Sequence, residues 1–234
     1  MAGTLNTVLA ANQTRDREIQ EAEDDEALEK EKMQESLFKY PSWIVIASKR
    51  NSGKSYFMER LLLVDWAKFD EIYLMSQTVS YEEKDYPTIK KLARLKVKPM
   101  YIGPFSLGMV RALQKRQEKD KSHHVLLLLD DIIPVMKGPA LDYISNLSTM
   151  SRHLNMTVMM LIQKANKTYD PQLRQNTDYL LFSKLNTKML EYVNEVLMMQ
   201  KDKLMELVHG LDDYEFILYD NTTNHPIIKR VHFE

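Results

Sequence analysis

The sequence predicts an α/β fold in which helices flank a mostly parallel central sheet that ends in a β-hairpin. From Tyr40 onward, short runs of apolar, β-branched and aromatic residues alternate with segments whose apolar residues recur at helical spacing. This alternation is typical of strands joined by crossover helices, which makes neighbouring strands parallel. After Gly210 the pattern changes: the runs 214–219 and 227–233 flank a polar turn at 220–225 and predict the hairpin.

The elements of this fold follow in order along the chain. The residue patterns predict strands at 43–47, 70–76, 99–102, 124–129, 156–163 and 178–183. They predict helices at 54–65, 87–94, 106–120, 138–151 and 187–208, and a further short helix that carries Arg174.

Composition excludes several classes of protein. The chain has 234 residues, 44% of them hydrophobic, which is enough to bury a sizeable core in one domain. It has no cysteine, so disulfides and thiolate metal sites are excluded. No apolar run approaches the length of a membrane-spanning helix, and the N-terminus does not read as a signal peptide. We therefore expect a soluble protein that is not secreted.

Charge divides the chain into two parts. Residues 1–36 carry ten acidic and four basic side chains, a balance of −6, which leaves +5 for the remainder of a chain with net charge −1. The acidic segment contains helix formers but few apolar residues, so it is predicted to be flexible or to form a helix docked on a partner. Residues 37–234 are predicted to form the globular domain, whose mildly basic charge suits either a polyanionic partner or an ordinary solvated surface.

The stretch 43–57, W-I-V-I-A-S-K-R-N-S-G-K-S-Y-F, joins the first strand to the first helix through a loop of the phosphate-binding type, a Walker A motif. Backbone N–H groups of such a loop, together with the helix N-terminus, bind phosphate. Lys54 is predicted to reach the β- and γ-phosphates, and the Ser55 hydroxyl to bind Mg²⁺. Ser48 stands where the motif usually has its first glycine, so the strand is expected to turn there with a residue less tolerant of unusual dihedral angles. The predicted ATP-binding residues are Ser48, Lys49, Arg50, Asn51, Ser52, Gly53, Lys54, Ser55 and Tyr56.

A second motif, H-H-V-L-L-L-L-D-D-I at 123–132, has the form of a Walker B strand. Its apolar run predicts a strand buried on both faces, whose carboxyl end opens into the crevice where ligands bind in parallel sheets. Asp130 is predicted to hold Mg²⁺, and Asp131 to orient and deprotonate the attacking water. Without the phosphate loop, the same residues would indicate only a core strand that ends at a turn.

A third group of polar residues follows the Walker B motif. Gln163 ends an apolar strand and is predicted to sense the γ-phosphate or position water, as in ATPases with a strand inserted between those of the two nucleotide motifs. Arg152 and Arg174 either pair with carboxylates of their own chain or act on a neighbouring subunit as arginine fingers. A planar guanidinium suits the charge of the transferring phosphoryl group.

The order of these motifs resembles a known family. The phosphate loop, the apolar strand ending in Asp-Asp, S-R-H-x-N-x-(apolar)-Q and P-x-x-R-x-N-x-D are similar to the genome-packaging ATPases of nucleocytoplasmic large DNA viruses, within the FtsK/HerA superfamily. The resemblance covers about residues 41–183. It implies a RecA-like P-loop NTPase fold, with Asp131, Gln163 and either Arg152 or Arg174 as catalytic residues.

The resemblance also implies partners and a location. It implies an ATP- and Mg²⁺-dependent motor that forms a homo-oligomeric ring, expected to be a hexamer. The ring would move double-stranded DNA, without regard to sequence, into a preformed shell of viral capsid proteins. The expected location is the virion or the viral factory in the host cytoplasm.

Two other functions share part of this pattern. A kinase of a nucleoside or small molecule would also have the phosphate loop, but the lysine-rich segment 115–121 does not resemble an arginine-rich kinase lid. A non-catalytic scaffold with a nucleotide-binding fold would not need Lys54, Ser55, Asp130 and Asp131 together. Both stay open as alternatives to the packaging ATPase.

Overall fold

The computed structural model describes residues 36–77, 86–94, 98–163, 171–223 and 226–232. The predicted acidic segment therefore lies outside the described residues, apart from Ser36 at its end. Within the described ranges, none of the helices combines the length and the apolar character needed to cross a bilayer.

A single eight-stranded sheet organises the described part of the chain. Its strands have the spatial order β3-β2-β4-β5-β1-β6-β7-β8. Pairing is parallel from β3 to β6 and antiparallel from β6 to β8, which confirms the mostly parallel sheet and the closing hairpin. The strands are β1 (Trp43–Ala47), β2 (Glu71–Ser76), β3 (Met100–Gly103), β4 (Val125–Asp130), β5 (Met156–Ile162), β6 (Tyr179–Phe182), β7 (Glu215–Asp220) and β8 (Ile227–His232).

Helices connect most of the consecutive strands. They are α1 (Lys54–Asp65), α2 (Pro87–Arg94), α3 (Leu107–Lys119), α4 (Pro139–Met150), α5 (Pro171–Gln175), α6 (Thr187–Leu197) and α7 (Lys201–His209), with 3₁₀ turns at Trp66–Lys68 and Ser151–Leu154. The prediction of one helix over 187–208 is wrong. Met198 adopts a left-handed conformation with φ 50°, and its N–H donates to the carbonyl of Asn194, which closes α6 before α7 begins.

The core lies on both faces of the sheet, because helices cover both. All five residues of β1 are buried, as are all of β4 and β5. Alternate residues of β1 enter different clusters: Trp43 and Val45 pack on one face, Ile44 and Ile46 on the other. Burial on two faces explains why these strands are continuous apolar runs rather than alternating ones.

The position of β5 determines where the polar motifs meet. This strand lies between β1 and β4, with Ala47 opposite Ile162 and Asp130 opposite Leu161. The loops that follow β1 and β4 therefore leave the sheet side by side, at its carboxyl edge. The predicted insertion of a strand between those of the two nucleotide motifs is confirmed.

Candidate nucleotide-binding site

The phosphate loop leads from the end of β1 into α1. Gly53 directly precedes the helix with φ 83°, a conformation that glycine adopts without steric cost. Its carbonyl accepts the N–H of Phe57 at 2.8 Å, which closes the first turn. The N–H groups of Lys54, Ser55 and Tyr56 belong to that first turn and have no acceptor within the helix. A helix start with these donors binds an anion.

The loop turns without a glycine at its first position. Ser48 is fully buried and is not among the described residues with positive φ. Left-handed conformations occur instead at Asn51, with φ 58°, and at Gly53. The Ser52 hydroxyl lies 2.6 Å from Ser48 Oγ and 2.5 Å from the carbonyl oxygen of Lys49. The chain therefore turns with a serine at this position, as expected, and the left-handed conformations fall at later residues of the loop. The hydroxyl groups of Ser48 and Ser52 brace the loop.

Lys54 is buried within the loop. Its Nζ donates hydrogen bonds to the carbonyl oxygens of Ser48 at 3.2 Å and Lys49 at 3.1 Å. Burial lowers the pKa of Lys54, while the negative charges of Asp130 and Asp131 act to raise it. The lysine of the first motif is therefore within electrostatic range of both carboxylates of the second.

Asp130 ends β4 and is buried. Its Oδ2 accepts a hydrogen bond from the hydroxyl of Tyr86, whereas its Oδ1 is buried without a hydrogen-bond partner among the described residues. Burial raises the pKa of Asp130, and the bond from Tyr86 and the charge of Lys54 oppose that rise. Because a buried carboxylate oxygen without a partner is unfavourable, this atom suits a metal ligand.

Tyr86 was not predicted as a site residue. It is buried, and it lies 44 residues before the aspartate that it contacts. The sequence offers one weak signal, because Tyr86 precedes Pro87 at the start of α2, where a chain turns into a helix.

Asp131 and Gln163 lie at neighbouring strand ends. Asp131 has φ 50°, and its N–H donates to the carbonyl of Leu161 at 3.1 Å, so the chain turns away from β4 beside β5. Gln163 follows β5 and is half-buried; its carbonyl accepts a hydrogen bond from Asn186 Nδ2 at 3.4 Å. The end of β5 thus lies between the phosphate loop and the turn after β4.

The two arginines lie away from their own phosphate loop. Arg152 forms an ion pair with Asp178, whose second carboxylate oxygen accepts the N–H of Trp43 at 2.7 Å, at the amino end of β1. Arg174 forms an ion pair with Glu195. Each arginine therefore pairs with a carboxylate of its own chain. The partner of Arg152 lies at the amino end of β1, opposite the carboxyl end that leads into the phosphate loop.

The remaining predicted loop residues face solvent. Lys49, Arg50 and Asn51 are exposed, and the N–H of Lys49 donates to the carbonyl of Lys184 at 2.8 Å. Tyr56 is 48% exposed on the first turn of α1. Within the ranges that the structure describes, no group of three His, Cys, Asp or Glu side chains has the arrangement of a metal site.

Comparison with known proteins gives one family and one fold. The family model described as poxvirus A32 protein matches residues 29–218. No curated protein sequence matches the chain. Among solved structures, the genome packaging NTPase B204 from Sulfolobus turreted icosahedral virus 2, in complex with sulfate, has TM-score 0.59 and 17% identity, and the alignment covers 82% of this chain and 96% of that one.

Two other solved structures extend the comparison. The same NTPase in complex with ATP-gammaS has TM-score 0.56 and 17% identity over 80% of this chain and 96% of that one. VirB4 of Thermoanaerobacter pseudethanolicus has TM-score 0.58 and 11% identity over 82% of this chain and 89% of that one. At these identities the likeness establishes the shared fold.

Proposed function

This chain belongs to the poxvirus A32 protein family, and from that premise we propose that it is a viral genome-packaging ATPase. In this proposal, hydrolysis of ATP drives double-stranded viral DNA into a preformed capsid. One structural observation carries the ATPase assignment: β5 lies between β1 and β4, so the phosphate loop and the Asp130 carboxylate follow strands that flank it at the carboxyl edge of the sheet. The solved structure with a similar fold that binds ATP-gammaS is itself a genome packaging NTPase.

Phosphate binding is assigned to the loop and to the start of α1. The backbone N–H groups of Gly53, Lys54 and Ser55 would donate to the β-phosphate, and the helix N-terminus would favour its negative charge. Lys54 now donates to two loop carbonyls, and its Nζ would move to the β- and γ-phosphates when nucleotide binds. The buried amine exchanges backbone partners for charged ones.

Mg²⁺ fits the same crevice. Ser55 and Asp130 would hold the ion, and Oδ1 of Asp130 is the buried oxygen that still needs a partner. Because Mg²⁺ is usually bound by one or two protein ligands together with substrate phosphates, this small ligand set is sufficient. When bound, the ion supplies positive charge that neutralises the phosphate oxygens during transfer.

Asp131 and Gln163 would act on the attacking water. Asp131 would accept its proton, and the left-handed turn of its backbone carries the residue out of the strand beside Leu161. Gln163 would orient the water or sense the γ-phosphate, because it directly follows β5, which lies between the strands of the two motifs. Both residues belong to strand ends, so the sheet holds them in position.

A ring of subunits, which we propose to be a hexamer, would complete the site. Arg152 and Arg174 pair with Asp178 and Glu195 and not with residues of their own phosphate loop, so in this proposal either would act on the next subunit. Guanidinium groups suit this task because they stabilise the spread charge of the transferring phosphoryl group. Before assembly, Asp178 would hold Arg152 and Glu195 would hold Arg174. In the ring, the ion pair of the arginine that acts as the finger would either persist or be replaced by contacts at the subunit interface.

Duplex DNA is the proposed cargo. A packaging motor contacts phosphates without reading bases, so binding should be insensitive to sequence and should weaken steeply as salt rises. The net charge of +5 outside residues 1–36 suits this partner, whereas the −6 of the acidic segment would compete with DNA or clamp a neighbouring subunit. We place the protein with viral capsid proteins, in the virion or the cytoplasmic viral factory.

Hydrolysis assays separate the three candidate functions. ATP turnover with Mg²⁺ should be measured for the full-length protein alone, with long duplex DNA, and with a panel of nucleosides and other small-molecule acceptors. The packaging proposal expects phosphate release that duplex DNA stimulates. Phosphorylation of an acceptor, with no response to DNA, would support the kinase instead. No turnover under any condition would support the scaffold.

A further inference from the structure

The ring of Tyr214 lies directly against the phosphate loop. A Cβ atom built on Gly53 would lie 2.6 Å from Cδ1 of Tyr214, closer than real Cβ contacts come. The absence of a side chain at Gly53 therefore leaves room for the aromatic ring and also permits the positive φ of the loop. Much of the residue nevertheless remains open to solvent, because Tyr214 is 56% exposed.

The backbone of Tyr214 is unusual. Its φ is 64°, in the left-handed region that bulky residues rarely adopt. Conformations of this kind persist where surrounding contacts enforce them, and they concentrate at functional sites. A large apolar ring that is both strained and solvent-exposed contributes little to the core, so its position calls for another explanation.

The turn before β7, which carries this ring, is fastened to the nucleotide loop. Asp213 forms an ion pair with Lys184, and the carbonyl of Lys184 accepts the N–H of Lys49 at 2.8 Å. On the other side, the hydroxyl of Ser183 donates to the carbonyl of Glu215 at 2.7 Å. The turn is thus tied to the end of β6, and through it to the start of the phosphate loop.

A second exposed tyrosine completes the arrangement. Tyr56 lies on the first turn of α1, directly after Lys54 and Ser55, and is 48% exposed. Its ring centroid is 5.9 Å from that of Tyr214, with the planes at 65°, an edge-to-face pair. Tyr214 lies against Gly53, Tyr56 directly follows Ser55, and both residues are exposed to solvent.

We propose that Tyr214 and Tyr56 form the stacking surface for the base of the nucleotide. This inference rests on the proposed function, since the loop must hold the phosphates for the base to reach these rings. Aromatic side chains stack on the π-face that every base has, so the surface would contribute affinity without selecting one purine by its hydrogen-bonding edge. Tyr214 would supply the larger share, because its own contacts hold it in place.

Base-free and base-containing ligands test this proposal on the full-length protein. The affinities of Mg²⁺-ATP and Mg²⁺-tripolyphosphate should be measured by calorimetry for the wild type and for two variants. Tyr214→Gly removes the ring but suits a φ of 64°, whereas Tyr214→Phe keeps the ring. We expect Tyr214→Gly to weaken ATP binding by about 5- to 150-fold, the range of one stacked base, and to leave tripolyphosphate binding within about twofold. Tyr214→Phe should bind both ligands like the wild type.

Tyr56→Ala is a third variant, and because its site is exposed on a helix it should fold even where a change at Tyr214 does not. It should also weaken ATP binding selectively. An equal loss of affinity for both ligands in Tyr214→Gly would mean that the ring only supports the loop. Unchanged ATP affinity in both Tyr214→Gly and Tyr56→Ala would mean that no stacking occurs. Either result overturns the proposal. A wild type that binds neither ligand would instead contradict the nucleotide site itself.

Discussion

The hydroxyl group of Tyr86 donates a hydrogen bond to Oδ2 of Asp130, the carboxylate that ends β4. This contact fixes one carboxylate oxygen and leaves the other, Oδ1, buried without a hydrogen-bond partner among the described residues. Tyr86 directly precedes α2, so the start of that helix is joined to the proposed metal ligand. The tyrosine thereby acts as a positioning residue for Asp130.

Tyr86→Phe should change how activity depends on pH. Burial raises the pKa of Asp130, and the hydrogen bond from Tyr86 lowers it, so the variant's carboxylate should take up a proton at higher pH. A bond to a charged group contributes about 1.5–3 kcal/mol, so the acidic limb of kcat/KM should move upward by at most about one to two pH units. Turnover on the alkaline side should be unchanged.

The matched control for that variant is Tyr73→Phe. Tyr73 also donates to a carboxylate, Glu71 Oε2 at 2.8 Å, but it does so at the amino end of the sheet, far from the phosphate loop. Its pH profile should equal that of the wild type. Superimposable profiles for both variants would contradict the role given to Tyr86.

Lys54 and Asp131 should separate nucleotide binding from chemistry. Lys54→Ala should abolish hydrolysis and weaken ATP binding, because the buried amine would contact the β- and γ-phosphates. Asp131→Asn should bind ATP normally but lose turnover by about 10²-fold or more, since the amide cannot accept the proton. Steady-state hydrolysis and equilibrium binding measure the two effects, with exposed Lys119→Ala as the control. Near-normal turnover in both site variants would contradict the assignment.

Mixed rings test whether an arginine acts on a neighbouring subunit. An Ala variant of the finger, Arg152 or Arg174, should bind ATP yet hydrolyse it slowly. Mixing it with Lys54→Ala should partly restore activity, because some interfaces then combine an intact loop with an intact finger. The measurement is hydrolysis rate against mixing ratio, in rings shown to exchange subunits. Absence of rescue for both arginines would exclude catalysis in trans.

Each arginine also has a structural partner, and this supplies the control. Asp178→Asn removes the charge that Arg152 contacts, and Glu195→Gln does the same for Arg174. A finger variant should lose far more activity than the variant of its carboxylate partner. Equal losses within a pair would indicate that the ion pair, and not the guanidinium at a neighbouring site, accounts for the defect.

The glycine requirement of the loop should depend on position. Ser48→Gly should cost about 1 kcal/mol of unfolding free energy, because it removes the contact with Ser52 from a residue with ordinary dihedral angles. Gly53→Ala should cost more, about 1–3 kcal/mol or above, since its φ is 83° and a Cβ would meet Tyr214. Urea unfolding of both variants gives the comparison. A larger loss of unfolding free energy in Ser48→Gly than in Gly53→Ala would contradict the requirement for glycine at position 53 rather than at position 48.

The buried strands were predictable from sequence because their physics is local. The apolar run of β4 and the two aspartates after it specify a buried strand that ends at a crevice, whatever surrounds them. The break between α6 and α7 was not predictable from sequence. It depends on the left-handed conformation of Met198, which a methionine does not indicate.

Residues of the candidate site differ in the same way. Lys54, Ser55 and Asp130 lie in motifs whose spacing reflects phosphate and metal geometry, so the pattern predicts them. Tyr86 and Tyr214 reach the site only through the packing of distant segments, and a lone tyrosine carries no spacing that indicates its partner. Local sequence patterns do not predict contacts between residues that are far apart along the chain.

The proposed motor moves along duplex DNA, and displacement of a third strand from that duplex measures the movement. A labelled triplex-forming oligonucleotide is bound near one end of a long linear duplex, and its release is followed after the full-length protein and ATP are added. The packaging ATPase should release the strand in an ATP-dependent manner, on duplexes of any sequence, and Lys54→Ala should not. A wild-type ring that binds the duplex and hydrolyses ATP, yet leaves the third strand in place at every protein concentration, would contradict translocation.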